Sequence, residues 1–221
     1  MTAVLVAAGS STRMGFDKLS FDLGGETVLE RSVRAFDECP EVDELVIVTG
    51  ASSENAQRAA ARCKKPVRLV KGGSTRAESA RSGVAAAHGR LVAVHDAARP
   101  FVSQSVIADT IAAAARCGAA APAVPVKDTI KPVAEAGAVT GTPDRSTLRA
   151  VQTPQVFETD LLKAALQSAL ENEVPGTDDC SAVERLGKVV YLIDGDEENL
   201  KITTPVDLVI AEAILAEREG R

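Results

Sequence analysis

The stretch Val4-Leu-Val-Ala-Ala-Gly-Ser-Ser-Thr-Arg-Met-Gly-Phe-Asp-Lys18 decides how the rest of the chain is read. Val4 to Ala8 is a short run that is apolar on both faces and is followed by Gly9, so it predicts a fully buried strand. Gly9, Ser10, Ser11, Thr12, Arg13, Met14 and Gly15 then make a loop of small residues at that strand's carboxyl end. Backbone N–H groups in such a loop can wrap an anion, and Arg13 and Lys18 add positive charge to it. The combination suits a triphosphate. Two familiar phosphate loops are not matched. A Walker A loop needs G-x-x-x-x-G-K-[ST], but Gly9 and Gly15 are one residue too far apart and Phe16 stands where the lysine belongs. The dinucleotide fingerprint G-x-G-x-x-G is met only at Gly9.

Outward from this stretch, strands and helices alternate. That predicts parallel βαβ units and an α/β, doubly wound, mostly parallel twisted sheet, in a single domain over residues 1–221. Thr2–Ala8 is the first strand. Thr27 can cap a helix to Glu38, Leu45–Val48 is a strand, and Ser53 opens a helix to Cys63. Pro66 breaks that helix, and Val67–Val70 is the next strand. Gly72-Gly-Ser-Thr-Arg-Ala-Glu-Ser79 is a second small-residue loop at a strand's carboxyl end, the edge at which open α/β sheets bind ligands.

Leu91–Val94 runs into His95-Asp-Ala-Ala-Arg-Pro100. Asp96, just past a strand and among phosphate-binding loops, is placed to hold Mg²⁺, which takes one or two carboxylates plus substrate oxygens. His95 reads as a packed, hydrogen-bonded histidine and His88 as a helix C-terminal cap. Ser103–Arg116 is a helix stopped by Gly118. Ala119–Val126 is a strand, which Pro122 and Pro125 make irregular or place at an edge. From 127 to 152 the helical period vanishes. Lys127–Val133 and Thr147–Val151 are extended pieces flanking a turn-rich middle, a hairpin with no core of its own that must project and pack on something. Helices over Glu158–Leu170 and from Asp178 or Asp179 to Leu186 follow. Val189–Ile193 is a strand, the acidic turn from Asp194 is solvated, and a last helix ends near Glu217.

A net charge of −6 and a pI near 5.1 argue against wholesale nucleic-acid binding, which needs a basic surface. Cys39, Cys63, Cys117 and Cys180 have no C-x-x-C spacing, as in a reduced, cytoplasmic protein. No run approaches the roughly 20 apolar residues of a membrane span, and the apolar start is no signal peptide, so no membrane association is expected.

The pattern A-A-G-x-x-x-R-M…K resembles the opening of the nucleotidyltransferases that join a nucleoside triphosphate to a phosphorylated small molecule. His95-Asp-Ala-Ala-Arg-Pro100, the 127–152 arm, Thr153-Pro-Gln155 and Asn199-Leu-Lys-Ile-Thr-Thr-Pro-Val-Asp-Leu208 narrow the resemblance to the 2-C-methyl-D-erythritol 4-phosphate cytidylyltransferase family, over nearly the whole chain. The resemblance implies a Rossmann-like nucleotidyltransferase fold. It implies that Ala7, Ala8, Gly9, Ser10, Arg13, Lys18, Gly73 and Ser79 bind CTP. Asp96, Arg99, Thr129, Arg145, Thr153, Thr177 and Lys201 would bind the polyol phosphate. Arg13, Lys18, Asp96, Arg145 and Lys201 would be catalytic, with Asp96 on the Mg²⁺ side, and the arm would clasp a second subunit in a homodimer. The opening is similar also to molybdenum-cofactor guanylyltransferases, and a ribitol-phosphate cytidylyltransferase shares more of the pattern. A nucleotide-binding module without chemistry would need the glycine loops but not Lys18, Asp96 and Arg145 together. The implied reaction needs no general base, because a phosphate monoester with a second pKa near 6 is largely dianionic at neutral pH.

Overall fold

The computed structural model describes residues 1–9, 15–50, 53–172 and 176–220. The first strand, β1 (Thr2–Ala7), lies inside the sheet. It is parallel to β2 (Glu44–Thr49) on one side and to β4 (Leu91–Asp96) on the other, and β3 (Val67–Lys71) extends the parallel set beyond β2. Helices cover both faces of the inner strands β1, β2 and β4, which are therefore apolar on both, whereas the edge strand β3 is largely exposed. Ala3, Leu5, Leu45 and Ile47 face one core with Phe36, Phe101 and Ile107. Val4, Val46, Val48 and Val94 alternate to the opposite core with Phe157 and Leu162. The first core lies under α1 (Val28–Asp37), α2 (Glu54–Ala61), α4 (Gln104–Cys117) and α7 (Pro205–Arg218). The second lies under α3 (Arg76–Ala85), α5 (Thr159–Glu171) and α6 (Asp179–Arg185). This is the doubly wound α/β arrangement.

Local chemistry sets the helix ends. Thr27 and Glu30 form a reciprocal capping box at α1, and Thr75 and Glu78 do the same at α3. Ser103 caps α4, whose far end stops at Gly118 with φ 84°, a left-handed conformation that costs a side-chain-bearing residue energy.

The second half departs from the sequence-based expectation in several places. Gln155–Glu158 is a strand, β7, antiparallel to β4; it has only four residues and directly follows a proline, so no alternation was visible. The proline-bearing strand β5 (Ala119–Pro125) is interior, not an edge. It pairs with β8 (Tyr191–Asp194) on one side and, on the other, with β7 and then β6 (Arg149–Val151). Its partner changes at Pro122: Ala120 faces Val156, whereas Ala123 faces Val151. The intervening Gln152 N–H donates to the Pro122 carbonyl at 2.8 Å. A proline is tolerated at such a break in the ladder. The far arm strand therefore pairs with β5 and not with Lys127–Val133. At the arm's tip, Ala134 N–H donates to Ala138 O at 2.8 Å around Ala136 (φ 64°) and Gly137 (φ 80°). His88 lies past the end of α3, and its ring meets Glu44 at 3.3 Å instead of capping the helix.

Among the described residues, no helix is long and apolar enough to cross a membrane. All four cysteines are unpaired.

Candidate active site

Asp96 is the last residue of β4 and lies beside the end of β1, so its carboxylate emerges at the carboxyl edge of the sheet. Two segments remote in sequence reach it, and a third braces one of them. Lys201 Nζ, from the segment before α7, lies 2.7 Å from Asp96 Oδ2. Arg76, the first residue of α3, donates from Nε to Asp96 Oδ1 at 3.2 Å and from Nη2 to Asp179 Oδ2 at 2.9 Å. Asp179, at the start of α6, is buried. Burial alone would raise the Asp96 carboxyl, but Arg76, Lys201 and Arg99 outweigh it and hold it well below the usual carboxylate range. Arg76 is disfavoured by burial yet is pushed further toward its charged form by Asp179 and Asp96. Burial pushes the Asp179 carboxyl up, and Arg76 opposes the shift. With Arg76 within hydrogen-bonding distance of both, we read the two aspartates and the arginine as a charged triad.

Behind Asp96 lies a buried relay. Asp96 N–H donates to Thr153 Oγ1 at 3.1 Å, and the Thr153 hydroxyl lies 3.0 Å from His95 Nδ1. His95 Nε2 lies 3.2 Å from the Arg99 carbonyl. One tautomer satisfies every contact: Nε2–H donates to Arg99 O, and Nδ1 accepts the Thr153 proton. Burial lowers the His95 pKa to about 4 against the opposing pull of Arg99 O and Asp96, so the ring is neutral at physiological pH. With both nitrogens engaged inside the fold, His95 is a structural histidine and not a base.

Gly9, just past β1, and Gly73, just past β3, border the same cleft as Asp96. A Cβ at Gly72 would lie 2.5 Å from Ala8 Cβ and 2.8 Å from Ser79 Oγ, so only glycine lets the strand ends approach this closely. Ser79 accepts from Gly73 N–H at 3.2 Å and donates to Thr75 O at 2.9 Å, which shapes the second loop. Lys18 Nζ donates to Ile202 O at 2.6 Å. Ala8, Gly9, Lys18, Gly73, Ser79, Asp96 and Lys201 line one cleft of about 410 Å³, together with Arg76.

The structure thus gathers most of the expected CTP residues with Asp96 and Lys201. Ser10 and Arg13 lie outside the described residues. Ala7 is the last residue of β1. Arg99 is turned toward the Asn199 carbonyl, to which its Nη1 donates at 2.5 Å. Thr153 is buried behind Asp96 and not open to the cleft. Thr177 is exposed just before α6. Thr129 and Arg145 are exposed on the arm and do not line the cleft of their own chain; Arg145 Nη1 donates to Lys127 O at 2.9 Å. Sequence reading placed no role on Asp179 beyond a helix cap; Asp178 is the cap, accepting from Ser181 N–H at 3.0 Å. Arg76 was visible within Gly72–Ser79, but nothing in the sequence tied it to two aspartates far along the chain.

Among the described residues, no group of three or more His, Cys, Asp or Glu side chains could hold a metal ion. Asp96 nonetheless fits a magnesium that relies on substrate oxygens. It is ionised, it borders the cleft, and each of its oxygens has a lone pair beyond the one facing Arg76 or Lys201.

Comparison with known proteins decides the family. The sequence model of the family described as "IspD: 2-C-methyl-D-erythritol 4-phosphate cytidylyltransferase" matches residues 1–217. The chain belongs to this family. Among curated cytidylyltransferases of this name, the one from Symbiobacterium thermophilum is 46% identical, covering 98% of this chain and 93% of that protein. The one from Caldanaerobacter subterraneus subsp. tengcongensis is 44% identical, covering 97% of this chain and 98% of that protein. A solved 4-diphosphocytidyl-2C-methyl-D-erythritol synthase from Anaerococcus prevotii superimposes with a TM-score of 0.88 at 32% identity, covering 97% of this chain and 95% of that one. The solved cytidylyltransferase from Thermus thermophilus gives 0.81 at 36% identity, covering 96% of this chain and 97% of that one. This cytidylyltransferase is accordingly a nucleotidyltransferase on a mixed α/β sheet.

Proposed function

We propose that the Asp96 cleft transfers CMP from CTP to 2-C-methyl-D-erythritol 4-phosphate, a step of non-mevalonate isoprenoid precursor synthesis. One observation carries this reading: Lys18, Arg76 and Lys201 converge with the ionised Asp96 in one cleft that Gly9 and Gly73 also line. An oxygen of the acceptor phosphate attacks the α-phosphorus of CTP. The bond from that phosphorus to the bridging oxygen breaks, pyrophosphate leaves, and 4-diphosphocytidyl-2-C-methyl-D-erythritol remains. The acceptor is already dianionic near neutral pH, so no base is needed. The barrier is the approach of two anions, and positioning with charge neutralisation dominates.

In this reading Lys18 stabilises charge on the α-phosphate and the leaving pyrophosphate. Lys201 fixes the acceptor phosphate, swinging from Asp96 as that anion arrives. Asp96 would hold Mg²⁺, which when bound neutralises triphosphate oxygens. Arg76 keeps the Asp96 carboxylate aimed at the cleft, braced by Asp179.

The same reading gives the arm its partner. Ile130, Val133 and Val139 are exposed on it, and Arg145 has no part in its own chain's cleft. A second copy related by a two-fold axis would cover the apolar tip and receive Arg145 and Thr129 beside its own Asp96. The unpaired cysteines fit a cytoplasmic setting.

The test is pyrophosphate release from CTP with a panel of acceptors. Turnover with 2-C-methyl-D-erythritol 4-phosphate and CTP supports the reading. Turnover with ribitol phosphate in its place, or none with either, overturns it.

A further inference from the structure

The segment carrying Lys201 is held by buried amides that the reaction itself does not use. Asn199 is fully buried. Its Nδ2 donates to the Thr153 carbonyl at 2.9 Å and to Gln152 Oε1 at 3.3 Å. Its Oδ1 has no protein hydrogen-bond partner, so what position 199 supplies is donation. Gln152 in turn grips the peptide of Asp196: its Nε2 donates to Asp196 O at 2.7 Å, and its Oε1 accepts from Asp196 N–H at 3.2 Å. A Cβ at Gly195 would lie 2.6 Å from Gln152 Oε1 and 3.1 Å from the Ala123 backbone, so a side chain there would push the Gln152 amide aside. At the far end of the segment Ile202 N–H donates to Ala98 O at 2.9 Å.

These contacts close a ring. Asp96 N–H is held by the Thr153 hydroxyl, and the Thr153 carbonyl is held by Asn199. Two residues beyond Asn199, Lys201 meets the Asp96 carboxylate. Gln152 and Thr153 are also the root of the arm.

We infer that Asn199 is a positioning residue: through Thr153 and Gln152 it sets where Lys201 stands against Asp96 and ties that placement to the arm root. A buried donor serving two acceptors is costly to remove, because both acceptors are left unsatisfied, and the loop would shift to reach other partners. The inference rests on the reading of Lys201 as the acceptor-phosphate ligand only for its kinetic consequence.

The experiment is amine-selective labelling of the intact chain with an N-hydroxysuccinimide ester, read at Lys201 by mass spectrometry with Lys163 as reference. In Asn199→Ala, and equally in Asn199→Asp, the relative Lys201 rate rises about fivefold, as expected when a coupled contact is lost. The KM for the acceptor phosphate rises about tenfold while that for CTP stays within about twofold. A folded variant with unchanged Lys201 labelling overturns the inference, even if its melting temperature falls. Faster labelling with an unmoved acceptor KM leaves Asn199 as the positioning residue and instead refutes Lys201 as an acceptor ligand. If Asn199→Ala does not fold, Gln152→Met, which keeps the bulk and releases Asp196, carries the same expectation and the same refutation.

Discussion

Lys201 and Asp96 come from opposite halves of the chain and meet at 2.7 Å, on the second oxygen of a carboxylate whose first oxygen is held by Arg76. Asp96 thus has a cation at each oxygen before any substrate arrives. An anionic substrate can then draw a cation away from it without leaving a buried carboxylate unpaired, because Arg76 stays.

Lys18 lines the cleft with Gly9 and Asp96. Lys18→Ala should lower turnover by about a hundredfold, the effect of removing one preorganised donor to developing charge. Lys18 belongs to neither hydrophobic core, so the fold should survive. Steady-state kinetics on the purified variant, with circular dichroism as the folding control, checks this; near-normal turnover would remove Lys18 from the phosphate site.

Asp96→Asn keeps the shape and loses the charge. The magnesium concentration for half-maximal rate should rise at least about tenfold, since a hard cation gains little from an amide. A magnesium titration of initial rate reads it out, and an unchanged curve would place the metal elsewhere.

Asp179→Asn tests the brace. Breaking a buried ion pair on one side costs about 3 kcal/mol or more. Urea unfolding should show that loss, with a lower transition midpoint. A loss under about 1 kcal/mol would mean that Asp179 does not hold Arg76 in solution.

His95 gives stability an acid dependence. The native ring stays neutral down to about pH 4, whereas the unfolded one protonates below its ordinary 6.5. Between these values the unfolded state binds more protons, so this stabilisation is complete above pH 6.5 and is lost as pH falls toward 4. The loss by the lower limit is on the order of 3 kcal/mol. His95→Gln should flatten that slope in unfolding curves taken across the window; an unaltered slope would show that His95 is not the group responsible.

The parallel half of the fold was legible because its signals are local. Val4–Ala8 is apolar on both faces, Thr27 and Ser103 are caps, and Gly118 ends a helix. The second half was less so, because its decisions are tertiary. Pro122 sits inside the sheet only because β5 changes partners there, and Gln155–Glu158 is too short to show a period. The same division runs through the site. Lys18, Asp96 and Lys201 were visible in motifs, and they line one cleft. The Arg76–Asp179 pair and the Asn199–Gln152 clasp join segments that nothing in the linear sequence connects. Thr153, read as a substrate residue, lies behind Asp96 because its hydroxyl is engaged by Asp96 N–H and His95.

The shared site is the central claim, and subunit exchange tests it most directly. Asp96→Ala and Arg145→Ala should each be inactive alone. In a mixed dimer, the cleft on the Arg145→Ala chain keeps its own Asp96 and receives an intact Arg145 from its partner, while the other cleft lacks both. Random exchange makes about half the dimers mixed with one good cleft of two, so activity should return to about 25% of wild type under two-fold closure. If exchange is verified by a tag and activity stays at zero, the arm does not complete its partner's cleft, and the shared site is contradicted.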